Sequence, residues 1–406
     1  MGIKMDDLED LEELKEYERG YVIIDLDHIY DNMVNMKKNI PRETALMAVV
    51  KTDGYGCGAV PVARTVDALV EGYGVATVQE GISLRVHGIT KPVFILGYTP
   101  KNACEQVIAH KLIPSVFQYE MAEVLSKAAV GSQVMLPVNI AVDTGMGRIG
   151  FLPDEEGISE IVRISQLPGI ELKSIFTHFA KADEKDKTSA QNQYKIFQGF
   201  INKLKERNII IPIHQCGNSA AILEMPQTSM NLMRAGISMY GYYPSEEIDT
   251  EVVKLYPAVG LKSHIVHLKE VEAGTPISYG STYITKRKER IATIPLGYGD
   301  GYPRNLSNKG YVLVHGKRAP ICGRVCMDQF MIDVTDIEES SLWDEVTLVG
   351  EDGMESITVE ELAELAGTFH YEFLCDLGKR LPRVYKRHGR IVGKKDYFQD
   401  QYEDFC

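Results

Sequence analysis

Residues 46–58, LMAVVKTDGYGCG, carry the first chemical signal in the chain. Met47, Ala48, Val49 and Val50 form an apolar run rich in β-formers, which predicts a buried strand with Lys51 at its end. A lysine in that position points into a protein-lined site. Burial lowers an amine's pKa, so Lys51 is a candidate Schiff-base nucleophile. Gly54, Gly56 and Gly58 follow at once and predict a flexible turn that brings backbone and Tyr55 close to a ligand. The same residues also read as an ordinary strand-end lysine before a glycine-rich loop. The rest of the chain decides between the two.

Four more stretches follow apolar runs in the same way. VDTGMGRIG holds Asp143, Thr144, Gly145 and Arg148, and FTHFAKADE holds His178. GNSAA holds Asn218 and Ser219, and MRAGISMYG holds Arg234, Gly236 and Ile237. Each has a plain structural reading: a helix cap for GNSAA, a satisfied polar residue for His178, an ion-pair partner for Arg234. Taken together they put a lysine, an arginine and an anion cradle around one mouth. Ser219 before a helix and the amides near Gly236 suit a phosphate.

The elements that must position these residues are legible as a rhythm. Strand-like runs fall at 45–50, 74–78, 93–96, 112–116, 138–142, 172–176, 211–215 and 232–234. Helical periodicity fills most of the intervals, as in AVPVARTVDALVEG and QNQYKIFQGFINKLKERN. Such alternation predicts an α/β fold, a (β/α)8 TIM-type barrel, whose chemistry belongs at the C-terminal ends of the strands. After residue 256 the texture changes to short alternating strands and turns, interrupted by one helix at TVEELAELAG. This predicts a second, mostly β domain. The expected organisation is an acidic extension over 1–20, with helical character over 5–19, a barrel over 21–255 and the β domain over 256–406. YVIIDLDHI, a strand candidate, opens the barrel segment.

Composition narrows the partners. A 406-residue chain with a net charge of −13 argues against nucleic acid. Its seven cysteines are scattered without metal-ligand spacing, so reduced thiols and a cytoplasmic location are expected, and no metal. The acidic start has no apolar core of a signal peptide, and no run approaches a membrane span.

Over residues 21–388 the chain resembles the bacterial alanine racemases, pyridoxal-phosphate enzymes with a barrel and a β domain. The resemblance rests on AVVKTDGYG, VDTGMGRIG, FTHFAKADE, GNSAA, MRAGISMYG, ISYGSTY, GYGDGYPR, VCMDQ and KRLPRVY, in the family's order. It implies that Lys51 bonds pyridoxal phosphate as an internal aldimine and acts as one base. Tyr279, in ISYGSTY, would be the second base, reaching the site from the other subunit of a homodimer. Tyr55, Ser219, Gly236, Ile237 and Tyr371 would hold or flank the phosphate, and Asn218 would be a further cofactor-binding residue. Arg234 would bond the pyridine nitrogen and His178 would lie by the ring. Arg148 and Met327 would meet the substrate carboxylate, and Tyr298 would line the way in. The implied function is interconversion of L- and D-alanine, supplying D-alanine for cell-wall peptidoglycan.

Two bases on opposite faces suit racemisation, which takes the Cα proton from one side and returns one on the other. Three positions depart from the family's pattern. Cys57 and Gln215 stand where histidine is usual, and Ala141 where many members have a lysine that becomes a carbamate. Without that negative charge a buried Arg148 would need another partner. A chloride near Ala141 and Arg148 is expected, with Asn139 as the alternative acceptor. The competing readings are a serine or broad-specificity racemase, a non-catalytic pyridoxal-phosphate-binding barrel and a decarboxylase of similar architecture. Tyr371 argues for alanine, because a phenol crowds a hydroxymethyl side chain.

Overall fold

The structure is a computed structural model and describes residues 19–398 and the backbone of 401–402. The helix expected over 5–19 lies outside the described residues, except for Arg19. The chain divides into two compact units: His28–Gly54 with Ala59–Pro257, and Met1–Asp27 with Tyr55–Gly58 and Ala258–Cys406.

The first unit is the expected barrel. After a strand β1 (Tyr21–Asp25), eight parallel strands run in sequence: β2 (Ala45–Val49), β3 (Gly72–Val75), β4 (Val93–Ile95), β5 (Leu112–Val116), β6 (Leu136–Ala141), β7 (Ile170–Phe176), β8 (Ile213–Gln215) and β9 (Leu232–Ala235). They form one eight-stranded sheet in which β9 returns to pair with β2, Met47 facing Arg234. The remaining gap is bridged where Arg234 N donates to Gly217 O at 3.0 Å. Inside, Met47, Phe94, Ile113 and Leu232 pack as one buried cluster, so the barrel is a filled core and not a pore. The second inter-strand helix starts at Val78, a residue the sequence places in a strand. Thr77 and Glu80 form a reciprocal capping box that ends the extended backbone one residue earlier.

The second unit is mostly β, as expected. Its largest sheet runs Lys317–Pro320, Tyr311–Val314, Glu345–Asp352, Val259–His264, β1, Arg383–Arg387, Arg390–Asp396 and Gln401–Tyr402, with Glu355–Ile357 paired to Glu345–Asp352. Thus β1 does not join the barrel strands that follow it. Val22 faces Leu261 in an antiparallel pair and Arg383 in a parallel one. Local sequence cannot say which sheet a strand joins, because the partners are more than two hundred residues away. His267–Val271, Glu289–Ile294 and Phe330–Asp333 form a second sheet. The helix read in TVEELAELAG spans Val359–Ala366 and is capped by Thr358. A further helix, His370–Asp376, had no sequence signal. No helix among the described residues is long and apolar enough to cross a membrane.

Candidate active site

Lys51 is separated from β2 by Val50 alone and opens a tight turn. Thr52, Asp53, Gly54 and Tyr55 have φ of 55°, 48°, 67° and 53°, all left-handed. Only the glycine takes that conformation without cost, and each other residue carries of order 1–2 kcal/mol of strain. Three hydrogen bonds hold the turn: Thr52 N to Glu80 Oε1 at 2.6 Å, Gly54 N to Val50 O at 2.8 Å and Ala59 N to Asp53 Oδ1 at 2.8 Å. Glu80 therefore positions the lysine's backbone while its Oε2 accepts from Ala76 N and Thr77 N. Sequence reasoning missed it, although Thr77-x-x-Glu80 is a readable capping signature.

His178 and Arg234 lie together at the ends of β7 and β9. Arg234 is 4% exposed, and its Nη2 donates to Thr177 O at 2.7 Å, Cys216 O at 3.3 Å and His178 Nδ1 at 3.2 Å. Its Nη1 is buried and has no partner among the described residues. The His178 imidazole is pushed down to about 3, first by burial and then by the charges of Arg234, Arg148 and Lys51. Of these groups Arg234 is the one in hydrogen-bond contact with the histidine. Burial also lowers Arg234 to about 10, with Arg148 adding to the effect and Cys216 opposing it.

The loop after β6 is folded around one carboxylate. Asp143 Oδ1 accepts from Gly145 N, Met146 N and Gly147 N at 2.9–3.0 Å. Thr144 and Thr177 share a 2.7 Å hydroxyl contact, which ties this loop to the one carrying His178. Gln193 joins both from below, donating to His178 O and Thr144 Oγ1 and accepting from Ala180 N. Gln193 had no sequence signal, because a glutamine inside an amphipathic helix reads as a solvated position.

One expectation about this loop needs correction. Arg148 is exposed in the single chain. Asn139 is not its acceptor: its side chain lies wholly buried between Ser115 Oγ at 3.3 Å and Ser174 Oγ at 2.6 Å. Ala141 is buried in register with Phe176.

After β8, Asn218 Oδ1 accepts from Ala221 N and caps the short helix Ser219–Glu224. Its side chain is thus committed to the backbone. Ser219 Oγ accepts from Gly236 N at 3.0 Å and Ser238 N at 3.4 Å. Both acceptor positions are used, so its O–H is left to donate. Ile237 opens the 3-10 turn that follows Gly236.

The remaining candidates lie in the second unit. Tyr55 is buried and its ring centroid is 6.3 Å from that of Tyr371. Burial raises its phenol further, with Cys375 contributing. The segment after Tyr55 is anchored by Arg383 of KRLPRVY, whose Nε donates to Gly56 O at 2.9 Å. A Cβ at Gly56 would sit 2.4 Å from Leu374 O, so only glycine fits there. Tyr279 and Met327 line one open groove of about 720 Å³ and are 70% and 52% exposed. Tyr298 is 42% exposed, and its N donates to Cys326 O at 3.0 Å.

Fold and site together define a (β/α)8-barrel enzyme with an added β domain and a lysine, an arginine and a neutral histidine at the barrel mouth. Residues 24–244 match the family model for the alanine racemase N-terminal domain, and 258–385 that for its C-terminal domain. The chain is 43% identical to alanine racemase 1 of Clostridium acetobutylicum over 375 residues, 92% of this chain and 97% of that protein. The alanine racemase structure from Clostridium difficile superposes with a TM-score of 0.90 at 39% identity, covering 93% of this chain and 98% of that one. The Bacillus anthracis alanine racemase with bound L-Ala-P gives 0.90 at 38% identity, over 95% and 99%. The chain belongs to the alanine racemase family.

Proposed function

We propose that this protein is a pyridoxal-phosphate-dependent alanine racemase, working as a homodimer in the cytoplasm and supplying D-alanine for peptidoglycan. The observation that carries the reading is the buried, unpartnered Nη1 of Arg234 beside neutral His178, at the mouth that also holds Lys51. A buried guanidinium nitrogen with no acceptor calls for one from a ligand. A pyridine nitrogen supplies it, and the spare Ser219 O–H and the N–H of Ile237, beside the Gly236 amide that Ser219 Oγ accepts, suit a phosphate, so the residues present fit the cofactor.

When bound, pyridoxal phosphate supplies an electron sink that acidifies the substrate's Cα proton. Arg234, which can only donate, would meet the ring nitrogen with an N–H and leave it unprotonated, so that the sink would be limited and transamination disfavoured. His178 would lie by the ring and, as a neutral imidazole, would add no charge. Lys51 holds the cofactor and moves a proton on one face. Tyr279 of a second copy moves one on the other, an assignment supported by its exposure in the single chain. Tyr55 and Tyr371 flank the phosphate. Arg148 and Met327 bind the substrate carboxylate, and Tyr298 lines the approach.

The test is incubation of purified protein and cofactor with L-alanine or L-serine, with products resolved on a chiral column. D-alanine should form faster than D-serine. Preferential formation of D-serine would instead support the serine racemase reading, and no product from either would overturn both.

A further inference from the structure

Asp300 lies within GYGDGYPR and its carboxylate is 0% exposed. A buried ion must be paired, and here two arginines share the task. Arg19 Nη2 donates to Oδ2 at 2.8 Å. Arg380 donates from Nε to Oδ1 at 3.0 Å and from Nη2 to Oδ2 at 3.2 Å, a bidentate fork. Gly297 N adds a fourth bond to Oδ2 at 2.9 Å.

The two arginines differ in what else they reach. The Nη1 of Arg380 donates to Asp328 Oδ1 at 2.7 Å, and Asp328 is the residue after Met327. The backbone follows the same lines. Tyr298 N donates to Cys326 O, Gly299 N to Met327 O at 2.9 Å and Gly378 N to Asp300 O at 2.8 Å. The approach is too close for side chains. A Cβ at Gly297 would lie 2.5 Å from Met327 O, and one at Gly299 would lie 2.9 Å from Arg380 Nη1. One guanidinium thus fastens three segments, those of Tyr298, Met327 and Gly378. The outer arm, to exposed Asp328, is a surface ion pair of the kind that contributes little to stability. Its geometric effect is larger: it fixes the loop whose Met327 stands in the groove beside Tyr279.

We propose that Arg380 is a positioning residue for substrate binding: by bridging buried Asp300 to Asp328 it holds Met327 and Tyr298 in one fixed arrangement. Arg19 neutralises the same carboxylate without doing this. The inference rests on the reading that Met327 and Tyr298 face the substrate.

The test compares Asp328→Asn, Arg380→Lys, Arg380→Met, Arg19→Met and Met327→Ala in the cofactor-loaded protein, measuring kcat, KM for alanine and the unfolding midpoint. Asp328→Asn leaves Asp300 fully paired, and lysine cannot reproduce the fork. Both should raise KM about tenfold or more, with kcat held within about threefold, as misplacement away from the chemistry does. Arg19→Met should lower the unfolding midpoint yet leave KM unchanged. Equal KM effects from Arg19→Met and Arg380→Met would reduce both arginines to charge compensation and overturn the proposal. If Met327→Ala raises KM while Asp328→Asn does not, the substrate-facing reading stands and the positioning role falls. If Met327→Ala itself leaves KM unchanged, that reading fails and takes the positioning role with it.

Discussion

Arg234 donates from Nη2 to Nδ1 of His178 at 3.2 Å, and this contact fixes the tautomer of the imidazole. A guanidinium has no acceptor, so Nδ1 must carry the lone pair and Nε2 the proton. The histidine at the mouth is thereby a neutral ring.

This has a consequence for stability against pH. The folded pKa of His178, about 3, lies below its ordinary value of 6.5. Between those values the unfolded chain binds a proton that the folded chain does not. Stability therefore rises with pH across that window and is lost as pH falls. His178→Gln removes the term. Between about pH 7.5 and about pH 5 the wild-type Tm should fall more than that of the variant. Parallel Tm profiles would show that His178 is not held neutral.

Lys51 is assigned as the residue that bonds the cofactor. Lys51→Ala should lose the visible absorbance of lysine-bound pyridoxal phosphate and at least about a thousandfold in activity. Borohydride reduction followed by peptide mapping checks the site. A reduced linkage on another lysine in the wild-type protein would refute the assignment.

Tyr279 is exposed and lies in the unit that does not contain Lys51. If each site joins Lys51 of one copy with Tyr279 of another, inactive Lys51→Ala and Tyr279→Phe chains should complement. Random pairing of equal amounts makes half the dimers hybrid, each with one intact site. About a quarter of wild-type activity should return. Native mass spectrometry would verify exchange, and hybrids without activity would count against a shared site.

The sequence revealed much of the barrel, because its apolar runs and helical periods are local signals. The runs at 112–116 and 172–176 fall within β5 and β7. What it concealed depends on distant partners. The glycines after Lys51 announced a turn, but nothing local forces Thr52, Asp53 and Tyr55 into left-handed backbone. Bonds to Glu80 and Ala59 hold that turn in place. β1 found its neighbours in Val259–His264 and Arg383–Arg387 and left the barrel to begin without it. The candidate residues on barrel strand ends were legible by position. The side chains that brace them, Glu80, Gln193 and Arg380, look like ordinary surface polar residues until the fold places them.

Gln193 gives the sharpest test of that bracing. It is buried, and its amide makes three hydrogen bonds, to Thr144 Oγ1, His178 O and Ala180 N. Gln193→Leu keeps the volume and removes the partners, leaving the peptide groups at His178 and Ala180 unsatisfied. The cost should be roughly 1–3 kcal/mol of stability, since an unmade buried bond costs more than a made one gains. The Asp143 carboxylate would still fold its own loop, so Arg148 should keep its place while the His178 loop relaxes. Binding of pyridoxal phosphate should therefore weaken more than the KM for alanine rises. Equilibrium denaturation and a fluorescence titration of the cofactor read the two effects separately. A variant as stable as the wild type, with unchanged cofactor affinity, would mean that Gln193 is only a buried polar residue in a helix.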